Sequence, residues 1–130
     1  MKFVCLSYLG PITWNTMSDE DRKASMAEFF AYDAELRKNG HLIGGEGLQS
    51  ATTAATLRYK SGKVVVTDGP YAETKEQLGG YFILEADDMN QAVELMSRNP
   101  AVRGGAIEIR PVADTSAMQA ERERLAARTT

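Results

Sequence analysis

Three stretches of this chain are apolar on both sides of an extended backbone: residues 3–9 (FVCLSYL), 64–67 (VVVT) and 81–86 (YFILEA). Successive side chains of a strand point to opposite faces of its sheet. An antiparallel sheet normally leaves one of those faces to water. A sheet containing these strands is too apolar on both sides for that, so the fold must cover both faces.

The rest of the chain supplies the covers. Residues 2–9 read as a first strand, ended by Gly10-Pro11. Residues 19–39 read as a helix. Ser18 is suited to the N-cap, Asp19, Glu20 and Asp21 place negative charge at the positive end of the helix dipole, and Gly40 suits the position after the last turn. Its apolar stripe is Met26, Phe29, Phe30 and Leu36, with the carboxylate of Asp33 on or beside it. Residues 41–48 and 52–60 read as strands, the first rich in glycine. Ser61-Gly62 predicts a tight hairpin into a strand over 63–67, and Asp68-Gly69-Pro70 predicts a turn before a polar stretch that runs to Leu78. In residues 80–86, Phe82 and Leu84 share one face and Tyr81 and Ile83 the other. Asp88 with Gln91 resembles a capping box for a helix that carries Met89, Ala92, Val93 and Met96 on one side and ends near Asn99-Pro100. Residues 105–112 read as the last strand. A polar, helix-prone tail over 114–130 follows a domain of residues 1–113, and either frays or lies on a partner.

This order predicts an α+β fold, a ferredoxin-like βαββαβ arrangement with an inserted hairpin. In such a fold both helices cover the same face of the sheet. The simplest cover for the other, apolar face is a second copy of the chain, so a homodimer is expected.

Several classes of function are disfavoured. The net charge is −3 and no dense Lys/Arg run exists; Arg122, Arg124 and Arg128 are interleaved with Glu121 and Glu123. A nucleic-acid binder would present a basic face, so no such partner is expected. The single cysteine, Cys5, cannot form an internal disulfide and lies in an apolar run, as a core residue rather than a nucleophile would. One His and one Cys without clustered spacing do not make a metal site. Gly44-Gly45-Glu46-Gly47 lacks the Lys-Ser/Thr ending and the strand–helix context of a phosphate loop, and no cofactor is expected. No signal-peptide pattern opens the chain, and no run approaches the ~20 apolar residues of a membrane span, so the expected location is the cytoplasm, away from membranes.

The segments Gly44-Gly45-Glu46-Gly47-Leu48-Gln49, Thr67-Asp68-Gly69-Pro70-Tyr71-Ala72-Glu73-Thr74-Lys75-Glu76-Gln77-Leu78-Gly79-Gly80-Tyr81 and Ile107-Glu108-Ile109-Arg110-Pro111-Val112 closely resemble the YCII-related, or DGPF, family. Tyr71 stands where the family's name has Phe. The resemblance covers residues 1–112. It implies a dimeric α+β barrel, in which two sheets pack through the faces their helices leave open. It implies no single activity. Some YCII-type proteins resemble lactone- or halide-eliminating enzymes with a His–Asp pair; others occur beside, or fused to, extracytoplasmic-function sigma factors.

Six residues stand out as site candidates. Asp68-Gly69-Pro70-Tyr71 is either a plain turn or part of a loop that closes over a pocket, with Asp68 as acid or base. His41, the one histidine, is either a capping residue or a base that needs a carboxylate to orient it. Asp33 lies two helical turns before it. Glu46, flanked by glycines, either shares a helix–sheet pocket with Asp33, which would raise the pKa of one of the two, or forms an ion pair with Arg58 or Arg110. The expected catalytic carboxylates are therefore Asp33, Glu46 and Asp68, with His41, Tyr71 and Tyr81 as ligand contacts. The expected function is that of a small-molecule-binding homodimer, with cofactor-free proton-transfer or elimination chemistry. The alternative is an accessory or regulatory module that acts with a protein partner such as a sigma factor, using residues 114–130.

Overall fold

The structure is a computed structural model, and it describes residues 1–10 and 16–128. The expected break at Pro11 falls outside the described residues. In chain order the elements are β1 (Lys2–Leu9), α1 (Asp19–Lys38), β2 (Leu42–Gly47), β3 (Ala55–Lys60), β4 (Lys63–Asp68), β5 (Gln77–Glu85), α2 (Met89–Ser97), β6 (Gly105–Pro111) and α3 (Thr115–Arg128). Short 3-10 turns precede β3 and β6.

Local chemistry sets these boundaries. The Ser18 hydroxyl accepts from the Asp21 N–H at 3.1 Å and starts α1. Gly40, at φ 78°, turns the chain after the last helical turn. The Asp88 carboxylate accepts from the Gln91 N–H at 2.8 Å, and the Gln91 side chain returns to the N–H of Asp87, one residue earlier than a standard capping box. Ser61 and Gly62 both have positive φ, the pattern of the turn whose twist matches a right-twisted hairpin.

The main sheet has the order β2-β5-β1-β6, with every neighbouring pair antiparallel. This is the ferredoxin-like topology. On the helix side, Phe3 and Cys5 of β1, Leu42 of β2 and Leu84 of β5 are buried, and Leu36, Ala92, Leu95 and Met96 close over them. The buried stripe of α2 is Ala92, Leu95 and Met96, while Met89 and Val93 remain exposed. The helix is thus rotated from its expected Met89–Val93 face, toward the side that meets α1. There the Tyr32 hydroxyl donates to the Leu95 carbonyl at 2.5 Å. Burial pushes the Tyr32 pKa up and so favours that donor.

α1 buries only Leu36 fully; Phe29 is half-buried, and Met26 and Phe30 are exposed. Its C-terminal half seals the core, and its N-terminal half stands over the sheet without filling the space beneath it. On the helix-free side, Val4, Leu6 and Tyr8 of β1 and Tyr81 and Ile83 of β5 form an apolar surface that this chain covers only in part.

β3 and β4 form a separate two-stranded sheet. Its register gives it two unlike faces. Leu57 pairs with Val66 and Tyr59 with Val64 on one face, while Thr56 pairs with Thr67, Arg58 with Val65 and Lys60 with Lys63 on the other. The four apolar residues of the first face are 64%, 74%, 60% and 61% exposed for Leu57, Tyr59, Val64 and Val66. All residues of α3 are exposed as well. Among the described residues no helix is long and apolar enough to cross a membrane.

Cys5 is fully buried, and that burial pushes its thiol pKa up to about 11 from 9.0. The unfolded chain loses this proton first, so stability is intact below pH 9 and falls as pH rises toward 11. A two-unit shift corresponds to about 3 kcal/mol at the end of that window. Urea denaturation at pH 8 and at pH 10.5 should show this decline in the wild type and a shallower one in Cys5→Val. Equal slopes would remove Cys5 as its source.

Candidate functional site

Side chains on the helix side of the sheet form rows across neighbouring strands, set by the register. The first row is Leu42, Leu84 and Phe3, and it is filled. The second is Gly45, Phe82, Cys5 and Ile109. The third is Gly47, Gly80, Ser7 and Ile107. Across β2 and β5 the rows run from two leucines, through Gly45 and Phe82, to two glycines. Beneath the N-terminal half of α1 the side-chain volume of these strands nearly vanishes, and a groove of about 810 Å³ opens there. That size is typical of small-molecule sites.

The floor of the groove is glycine backbone and the Ser7 hydroxyl; its far wall is Met26, Phe29 and Phe30 of α1. The Phe29 ring meets Phe82 at a centroid distance of 6.0 Å and Phe30 edge-on at 5.8 Å, so one side is an aromatic wall. A β-bulge between Ser7 and Tyr8 shifts the end of β1 against β5 and leaves Gly79 opposite no residue of β1. The Leu9 side chain lies where a Gly79 Cβ would be, 2.5 Å away. A side chain at Gly79 would have to push the exposed Leu9 side chain aside.

Two ion pairs border the groove. Arg37 Nε donates to Asp33 at 3.0 Å, and Arg103 meets Glu28 at 2.6 Å. All four residues border the groove. Its lining is otherwise mainly apolar.

The structure brings Asp33 to this groove, as its place beside the α1 stripe suggests. It does not form the expected Asp33–Glu46 pair. Asp33 is partnered by Arg37, and Glu46 is exposed. Glu46 and Tyr81 are register partners, and Tyr81 opposes Leu6. Both border the groove, but the register turns their side chains toward the helix-free face. β2 is an edge strand, which is why a Glu in it needs no buried partner. Nor does it pair with the expected arginines: Arg110 binds Glu108, and Arg58 lies over the Tyr71 ring, 4.7 Å from its centroid.

His41 does not border the groove. Its Nδ1 is 2.9 Å from the Glu85 carbonyl, and its own carbonyl accepts from the Glu85 N–H at 2.7 Å. It fastens the start of β2 to the end of β5, and among the described residues no carboxylate bonds its ring. Asp68 and Tyr71 also lie away from the groove of their own chain. Asp68 ends β4, and the turn after it is held by the Gly69 N–H on the Ala54 carbonyl at 2.7 Å and by the Thr56 hydroxyl on the Gly69 carbonyl at 2.8 Å. Gly69 has φ 103°, which accounts for glycine at that place. Tyr71 is exposed, and its carbonyl accepts from Arg58 at 3.4 Å. The polar stretch after it is tied down by the Gln77 amide, which donates to the carbonyls of Ala72 and Thr74 at 3.0 and 3.1 Å.

Ser7 and Arg37 were not among the expected site residues. A signal for Ser7 exists: strand alternation places it on the face of Phe3 and Cys5, a hydroxyl in an otherwise apolar row. Among the described residues, no group of three or more His, Cys, Asp or Glu side chains could hold a metal ion.

Comparison with known proteins agrees with this architecture. A solved structure of 5-chloro-2-hydroxyhydroquinone dehydrochlorinase (TftG) from Burkholderia phenoliruptrix AC1100, in complex with 2,5-dihydroxybenzoquinone, has the same fold. Its TM-score is 0.51 at 16% sequence identity, over 87% of this chain and 94% of that one. An uncharacterized protein of Rhizobium meliloti (strain 1021) is 32% identical over 117 residues, which is 87% of this chain and 93% of the relative. The family model described as YCII-related domain matches residues 1–116, all of the α+β body. That match shows that the chain belongs to the YCII-related family.

Proposed function

We propose that the protein is a homodimer that binds a small organic molecule in the groove between α1 and the sheet, and that Asp33 serves there as the proton-transferring carboxylate. The observation that carries this reading is the third row of the sheet. Gly47, Gly80 and Ser7 stand side by side where a stable core would place large side chains, and Asp33 faces the space they leave. Arg37 Nε donates to the Asp33 carboxylate at 3.0 Å and fixes its orientation at the groove. The reaction class proposed is elimination. A base removes a proton, its electron pair forms the new double bond, and a leaving group such as chloride departs with the electrons of the bond that breaks. No oxidant or reductant is needed. The dehydrochlorinase with the same fold makes this class a reasonable first assay.

The test is chloride release from a panel of chlorinated hydroquinones, by wild type and by Asp33→Asn. The substitution removes a largely surface ion pair worth at most about 1 kcal/mol, so the variant should stay folded. Its turnover should fall about 10²- to 10⁴-fold, the usual contribution of a general base. Equal rates would remove Asp33 from the chemistry.

A second reading is favoured by α3. It is exposed along its length, and Met118 and Leu125, seven residues apart, leave an apolar stripe without a cover. In this reading the helix docks the protein onto a partner such as a sigma factor. Capture of a purified sigma factor by the full chain and by residues 1–113 distinguishes the readings. Retention by both proteins alike would count against α3.

A further inference from the structure

The groove carries a more specific signal than its size. Ser7 is 5% exposed and lines the groove, and among the described residues its side chain makes no hydrogen bond, so its hydroxyl oxygen is one that the groove leaves accessible. A hydroxyl that opens onto a mainly apolar groove is paired with water, or with a ligand that displaces that water. A ligand that fills the groove displaces that water and keeps the bond only if it brings a polar atom to Ser7. The charges around it point the same way. Arg37 is engaged by Asp33 and Arg103 by Glu28, so neither arginine offers an uncommitted positive charge to an anion. The wall opposite is aromatic.

We infer that the groove takes an uncharged aromatic ring with a hydroxyl or carbonyl at its edge, and that Ser7 hydrogen-bonds that oxygen. The ring packs against Phe29 and Phe82, over a floor that Gly47 and Gly80 keep flat. Ser7 is thereby a ligand-binding residue that fixes the orientation of the ring beneath α1. This inference rests on the reading of the groove as a ligand site and adds the chemical class of the ligand.

The probes are 2-naphthol, naphthalene and 2-naphthoate, followed by amide NMR shifts on the whole protein at pH 7. 2-Naphthol should perturb Gly47 and Gly80 and bind at least about tenfold more tightly than 2-naphthoate, whose carboxylate finds no uncommitted cation. Ser7→Ala should weaken 2-naphthol about five- to tenfold, the worth of one hydrogen bond, and leave naphthalene unchanged. Its melting temperature should equal or exceed that of the wild type, because the hydroxyl has no protein partner to lose. Gly47→Leu, placed where nothing lies within 4 Å of a new Cβ, should abolish binding of both rings by filling the groove. If the rings shift groove amides while Ser7→Ala changes nothing, or if 2-naphthoate binds as well as 2-naphthol, the assignment of Ser7 and of an uncharged ligand is overturned and the groove remains a ligand site. If no probe shifts groove amides, the groove reading and this inference fail together. A melting temperature several degrees lower in Ser7→Ala would make Ser7 architectural and overturn the inference as well.

Discussion

Leu57→Asp combined with Val66→Asp should convert the proposed homodimer to a monomer at micromolar concentration, as read by sedimentation equilibrium. Leu57 and Val66 are register partners at the middle of the apolar hairpin face, 64% and 61% exposed. A two-stranded hairpin is marginal by itself, and one whose apolar face meets water is more so. The face gains stability only when it is covered, and in the proposed dimer the cover is the other protomer, which also meets the surface of Val4, Leu6 and Ile83. Burying an aliphatic side chain of this size contributes about 1.5–3 kcal/mol. Losing two of them, and placing two carboxylates in an apolar contact, should weaken association by at least about a hundredfold, which is about 2.8 kcal/mol. Thr67→Asp is the control. It lies on the opposite, polar face beside Thr56 and should leave the dimer intact. A double variant that still sediments as a dimer would show that the hairpin face is not the contact.

The sequence made much of this fold legible because the signals are local. Ser18 and Asp88 cap their helices as their positions suggest, Ser61-Gly62 makes the hairpin, and two of the three apolar strands, β1 and β5, take the central places in the main sheet, while β4 lies in the separate hairpin. The site was less legible because it depends on register, and register is set by pairs far apart in the chain. Two irregularities break the simple period of two: one between Leu42 and Gly44, the other between Ser7 and Tyr8. Neither has a mark in the sequence beyond extra glycine. Glu46 looked buried because its neighbours look like a covered strand, yet β2 lies at the sheet edge. Asp68 and Tyr71 sit in the family's most distinctive segment, but in their own chain that segment builds a turn and a hairpin base. Its distinctiveness is consistent with the need for φ 103° at Gly69 and with the Arg58–Tyr71 contact. Ser7 was visible as a polar residue on the core face. Its meaning emerges only once Gly80 and Gly47 are known to stand beside it.

The glycines of β2 give the second large effect, and they separate two roles that look identical in the sequence. Gly45→Ala should destabilise the fold by about 2–4 kcal/mol, while Gly47→Ala should change stability by no more than about 0.5 kcal/mol. Gly45 has φ 146°, a conformation that side chains rarely adopt, and a Cβ there would lie 2.4 Å from the Tyr81 carbonyl oxygen and 3.0 Å from the Phe82 Cα. Both are backbone atoms of a central strand, so neither can swing aside. Relief would require β2 to separate from β5, and that pairing also carries the Leu42–Leu84 contact of the core. At Gly47 the same added methyl meets open space and, by the register, enters the groove. Urea denaturation of the two variants decides the matter. Similar stabilities would mean that the close approach of Gly45 to β5 relaxes without cost. A large gap would mean that Gly45 serves the sheet, leaving Gly47 and Gly80 as the glycines that shape the floor on which a ligand lies.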